Sequence, residues 1–237
     1  MQSLALPRGA SRVQTADPFA LFLRQLPLKP PGSRVLLYNG QLKANQRAHW
    51  RVVDMDVGSA DLQQCADALM RLRAEFLFQS GRGGTVAFTM TNGQRVSFSR
   101  WQAGERPVLR GQRFSFQRKA ARDTSYKNLR AYLNFVFTYA GTASLARELP
   151  HRMGEWQIGD VLIQGGFPGH AIIILDRATG AEDSYLLLGQ SFMPAQEFHV
   201  LQNPRRSDGW YSVRALRTAG KAETPEWDFP HLRFQHW

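Results

Sequence analysis

Apolar positions along the chain follow two periods, and segments of each alternate, which predicts a mixed α+β fold. Phe19–Leu26 has apolar residues at helical spacing and stops before Pro27, so a short amphipathic helix is expected there. Ser59–Phe78 is the clearest helical stretch. Leu62, Cys65, Leu69, Leu72 and Phe76 form its stripe, Asp61 suits the N-cap, and Gln64 follows three residues later as in a capping box. Gly81 and Gly83-Gly84 end it. Ser125–Tyr139 turns Tyr126, Leu129, Leu133, Val136 and Phe137 inward, and Thr142–Leu149 predicts a shorter helix stopped by Pro150.

Strand periodicity appears elsewhere. Arg34–Tyr38 and Arg47–Val57 flank the turn signal Asn39-Gly40 and predict a strand pair. Thr85–Met90 and Arg95–Phe98 flank Asn92-Gly93 and predict a hairpin. Ile158–Ile163 is a strand opening on Gly-Asp, and Gln164–Gly169 is a Gly/Pro loop. His170–Asp176 is a continuous apolar strand, Arg177–Asp183 a turn, and Ser184–Leu188 a strand closed by Gly189-Gln190-Ser191. Phe198–Leu201 predicts one further strand, and Trp210–Leu216 alternates weakly. Trp101–Phe116 is polar and turn-rich and suggests no element. Residues 1–18 carry no pattern and are expected to form a flexible arm. Residues 19–237 are expected to form a single α+β domain, with the aromatic tail packed along its body.

Composition changes this picture little. With 237 residues, 43% of them hydrophobic, the chain is long enough to bury a substantial core. The net charge of +11 favours an anionic partner: nucleic acid, a membrane surface or a cell-wall polymer. Basic residues cluster only at Arg118–Arg122 and Arg205-Arg206, and no nucleic-acid-binding motif appears, so no specific nucleic acid is expected. No run of about 18 apolar residues is present, so no membrane-spanning segment is expected. The N-terminus lacks the layout of a signal peptide, which leaves a cytoplasmic location or a removed export signal. Gly81-Arg-Gly-Gly84 lacks the Lys-Ser/Thr of a phosphate loop, and no cofactor or metal is expected.

Candidate chemistry centres on a few residues. Cys65 is the one cysteine, on the best-capped helix, where the dipole favours a thiolate. A buried core thiol is the alternative. His170 begins a strand and Gln190 ends the next, so antiparallel pairing makes them neighbours. The amide oxygen would then accept an imidazole N–H and fix its tautomer, giving a base and its orienter. Gln64 and the backbone N–H of Cys65 could donate to an oxyanion, unless Gln64 only caps the helix. His49 is a reserve base, because its strand leads into the cysteine helix. Asp54 and Asp56 share a strand face and are expected to meet basic neighbours.

Gly159-Asp160-Val161-Leu162-Ile163, the Gly169-His170 strand start and Gln190 together resemble the second half of the NlpC-like cysteine peptidases of the papain-like superfamily. The resemblance implies an antiparallel sheet with a helix from the N-terminal half packed on it. It also implies Cys65 as nucleophile, His170 as base and Gln190 as orienting residue. The chain has Gln63-Gln64-Cys65-Ala66 where that family usually has Asp-Cys-Ser-Gly, and a longer spacing from cysteine to the Gly-Asp strand. Over most of its length the chain also resembles a bacterial envelope family catalogued as a domain of unknown function. Leu26–Pro30, Asp61–Asp67, Arg71–Glu75, Gln164–His170 and Ser191–Gln196 carry that likeness, which implies export to the periplasm or envelope. The expected activity is thiol hydrolysis of an amide in cell-wall peptide or a related envelope substrate. A lipid-directed acyl hydrolase or acyltransferase using the same residues, and a non-catalytic envelope-binding module, are the alternatives.

Overall fold

The computed structural model describes residues 1–237. Along the chain come β1 (Ser11–Arg12), α1 (Pro18–Gln25), β2 (His49–Val52) and α2 (Cys65–Gln79). Next are β3 (Ala87–Thr89), β4 (Arg95–Ser97), α3 (Phe98–Gln102), β5 (Glu105–Arg110) and β6 (Arg113–Arg118). Two helices follow, α4 (Tyr126–Tyr139) and α5 (Thr142–Glu148). The principal strands are β7 (Val161–Gln164), β8 (His170–Thr179), β9 (Ser184–Gln190) and β10 (His199–Leu201). The chain ends with β11 (Trp210–Ser212), α6 (Val213–Ala219), β12 (Ala222–Glu223), β13 (Asp228–Phe229) and β14 (Phe234–Gln235).

Eight strands form one antiparallel sheet in the order β14-β7-β8-β9-β10-β2, with β1 on β8 and β11 on β9. In β8 every residue except Thr179 is buried, because α1 and α2 pack against it within the sheet. That double burial accounts for the unbroken apolar run Ala171–Leu175. Asp160, at the Gly-Asp turn before β7, is also buried. It takes two bonds from Arg152, at 2.8 and 2.7 Å, and the Gln157 N–H at 2.7 Å. The Gly-Asp signature thus anchors the entry to β7.

Several expectations are corrected. Residues 1–18 do not form a loose arm. Met1 and Leu4 join the core, β1 pairs with β8, and Arg12 reaches the fully buried Asp176 at 2.8 Å. A carboxylate with no solvent needs cationic partners, and Arg12 and Arg24 (2.7 Å) supply them from the N-terminal segment. Arg34–Tyr38 forms only isolated bridges, Leu36 to Leu42 and Leu37 to Gln196, while β2 pairs with β10. Trp101–Phe116 holds the end of α3 and the hairpin β5–β6. The expected turn after Asp176 is strand as far as Thr179. The hairpin β3–β4 forms where expected.

Candidate active site

The loop before α2 sets the position of the cysteine. Asp61 is not the N-cap, and residues 59–64 are an irregular loop with a turn at Asp61-Leu62. The Asp61 carboxylate instead accepts the Ala195 N–H at 2.7 Å and the Gln64 side-chain amide at 3.1 Å. Gln64 becomes the N-cap, and its backbone N–H donates to Asp67 Oδ2 at 3.1 Å. Cys65 is therefore the first helical residue rather than one turn in, where the macrodipole acts most directly. Ser191 Oγ donates to Gln63 O at 3.3 Å and fastens the same loop to the end of β9.

Burial opposes the dipole. Cys65 is buried, and desolvation, followed by the neighbouring Asp67 carboxyl, pushes its thiol up to about 12. The backbone N–H groups of Ala66 and of Ala171 act the other way and favour the anion. The Ala171 amide follows His170 directly, so the thiol lies against the start of β8. Asp67 is itself buried, which raises its pKa well above the carboxylate range. A cavity of about 250 Å³ opens at this point, lined by Cys65, Gln64, Asp67, Thr142, Phe167 and Met193.

His170 is fully buried, and its Nε2 lies 2.7 Å from Gln190 Oε1. Register explains the contact. Ile173 pairs with Gly189, so Gln190 and His170 share a face as diagonal neighbours on adjacent strands. Two glycines make room beside them. A Cβ on Gly189 would lie 2.5 Å from Leu175 Cδ1, and one on Gly169 would lie 2.3 Å from Thr142 Oγ1. Phe192, Trp227 and Phe229 surround the imidazole, with ring centroids 4.9, 5.4 and 5.7 Å away. Burial, partly offset by the Gln190 bond, lowers its pKa to about 4. With Nε2 engaged, Nδ1 is left without a protein hydrogen-bond partner.

The polar row continues across the sheet. His199 pairs with Gln190 in the β9–β10 register, and Gln190 Nε2 lies 3.3 Å from His199 Nε2. Burial takes the pKa of His199 down to about 3. Gln190 Nε2 also donates to Glu226 Oε2 at 2.9 Å, and Lys43 Nζ donates to the same oxygen at 2.7 Å. Sequence reasoning missed His199, Lys43 and Glu226. His199 sits on a strand that was legible, whereas Lys43 and Glu226 come from loops 183 residues apart and carry no pattern.

His49 lies on β2, separated from β8 by β9 and β10, which at strand spacing is roughly 14 Å. Its Nε2 lies 3.0 Å from Ser33 O and its ring packs on His199, so the fold does not bring it to the thiol. Gln64 lines the cavity beside Cys65 with its amide bonded to Asp61. Asp56 meets Arg71 at 2.8 Å and Arg130 at 3.0 Å, and Arg71 also bonds Glu75. No group of three or more His, Cys, Asp or Glu residues could hold a metal ion, and no helix is long and apolar enough to cross a membrane. No curated protein and no solved structure matches the chain. A family model described as Domain of unknown function (4846) matches residues 1–236, and the chain belongs to that family.

Proposed function

We propose that the chain is a papain-like thiol hydrolase that cleaves an amide in bacterial cell-wall peptide or a related envelope substrate. One observation carries the reading. His170 is tied by Nε2 to Gln190 with Nδ1 unpartnered, and Cys65 starts the helix packed against the same strand. In the proposed reaction His170 Nδ1 takes the thiol proton as sulfur attacks the carbonyl carbon. The backbone N–H of Cys65 and the Gln64 amide donate to the oxyanion. The imidazolium then protonates the leaving amine; in the second half His170 takes a proton from the water that attacks the thioester and delivers it to the departing sulfur, restoring the thiol. The net charge of +11 suits an anionic wall in the periplasm or envelope.

The test is release of fragments from purified peptidoglycan, followed by mass spectrometry. Cys65→Ala should abolish release while the melting temperature stays near that of the parent. Equal release by the variant would refute the thiol mechanism. A second reading, acyl transfer or hydrolysis on a lipid ester, is favoured by Phe167, which is 83% exposed at the rim of the Cys65 cavity. Cys65-dependent turnover of phospholipid vesicles, with none of peptidoglycan, would select it. Binding to the wall with no turnover of either would leave the non-catalytic module.

A further inference from the structure

The bonding around Gln190 has a forced direction. A carboxylate accepts hydrogen bonds and donates none, whereas an ammonium only donates. Glu226 Oε2 therefore accepts from Lys43 Nζ at 2.7 Å and from Gln190 at 2.9 Å, so Gln190 must turn its NH2 group toward Glu226. The pair is enclosed, with side chains 4% and 11% exposed for Lys43 and Glu226, so water offers little alternative. His199 fits the same polarity. Its Nδ1 faces Glu197 O at 2.9 Å and must donate there, which leaves Nε2 to accept from the second N–H of Gln190 at 3.3 Å. Gln190 Oε1 is then directed at His170, and His170 must carry its proton on Nε2, 2.7 Å away. Its lone pair is thereby assigned to Nδ1, the nitrogen without a protein partner.

We infer that Glu226, held by Lys43, is a positioning residue that fixes the tautomer of His170 through the orientation of the Gln190 amide. Its functional consequence rests on His170 being the base proposed above. Without an acceptor at position 226 only the longer 3.3 Å contact to His199 Nε2 still holds the amide, and with its stronger partner gone the amide can turn over and present N–H to His170 Nε2. The imidazole then carries its proton on Nδ1 and cannot receive one from the thiol. The C-terminal segment supports the arrangement from both sides. Trp227 and Phe229 lie against the imidazole, and Trp227 Nε1 donates to Gln164 Oε1 at 3.1 Å, beside His170 in the β7–β8 register.

Two readouts test this in the full chain. Long-range ¹H–¹⁵N spectra of histidine-labelled protein at pH 7 should show His170 protonated on Nε2 in the parent. Lys43→Met/Glu226→Leu removes both charges together, which avoids a lone buried ion. It should shift His170 wholly or partly to the Nδ1-protonated tautomer. Glu226→Gln with Lys43 intact should keep the parental tautomer, because the ammonium still demands the side-chain oxygen. On a cleaved substrate the double variant should lose about tenfold or more in kcat, with KM changed by less than about twofold. Nδ1 protonation in the parent, or an unchanged tautomer in the folded double variant, overturns the inference. Should Cys65→Ala leave hydrolysis intact, the thiol mechanism fails alone, since the tautomer readout needs no turnover.

Discussion

The resting state of the thiol can be measured directly. Cys65 is the one cysteine in the chain, so alkylation by iodoacetamide, followed by intact mass, reports on it alone. With the thiol pushed to about 12 by burial, roughly 10⁻⁵ of molecules hold a thiolate at pH 7. An unfolded cysteine with a pKa near 8.5 would hold about 3%, so the urea-denatured chain should react roughly 3000-fold faster at pH 7. In the folded protein the rate should climb about tenfold per pH unit from pH 6 to 10 without levelling. His170 is lowered to about 4, so no imidazolium is present at neutral pH to stabilise a thiolate, and His170→Ala should leave that slope unchanged. A pre-formed thiolate–imidazolium pair makes the opposite forecast, a plateau between pH 5 and 8 that disappears in His170→Ala. Observation of the plateau would refute the neutral resting pair and place proton transfer before attack rather than with it.

Three further outcomes follow from the packing. Arg24→Ala leaves the fully buried Asp176 with Arg12 as its one remaining salt-bridge partner and should lower stability by about 3 kcal/mol in urea unfolding; a loss under about 1 kcal/mol would mean Arg12 and the nearby Met1 ammonium suffice. Gly189→Ala drives a methyl into Leu175 and Phe198, and should cost about 1–3 kcal/mol and disturb the neighbouring Gln190–His170 bond, read as a changed His170 imidazole spectrum. His170 and His199, near 4 and 3 when folded, bind protons more readily unfolded, so their contribution is complete above pH 6.5 and is lost as pH falls toward those values. Between pH 6.5 and 5 each should cost about 1.6 kcal/mol, and His199→Asn should remove its share from the pH dependence; identical pH dependence in parent and variant would count against that value.

What the sequence revealed follows from where the determinants lie. The β8 and β9 strands were readable because an apolar run bounded by turn residues specifies a buried strand, and alternation then fixes which ends meet. The His170–Gln190 proximity needs nothing beyond that register. The quoted segments likewise carried the likeness to a domain of unknown function. The start of α2 was misjudged because Asp61 has good capping chemistry, yet Ala195, 134 residues away, takes its carboxylate. The N-terminal segment gave no period because a buried carboxylate on β8, rather than an apolar stripe, holds it. The hairpin β5–β6 gave none because most of its positions are only partly covered, and alternation is weak without a buried face.

The polar row is anomalous on packing grounds alone. Its neighbours in β8, β9 and β10 are apolar and fully buried, and an aliphatic residue at 170, 190 or 199 would fill such space without desolvating a ring or an amide. The Lys43–Glu226 pair adds two enclosed charges whose mutual attraction does little better than offset their lost hydration. Fold stability therefore gives no reason for these five side chains to be together. Their shared property is direction, because each bond on the path from Lys43 through Glu226 and Gln190 to His170 has its donor and acceptor assigned, and the path ends at a nitrogen without a partner. A structural network would be expected to close on itself, with each buried atom satisfied. This one stays open at Gln196 Nε2 beside Lys43 and at the imidazole nitrogen of His170, and the second opening, on the strand that carries the thiol-facing amide, is where a base for the thiol would be needed.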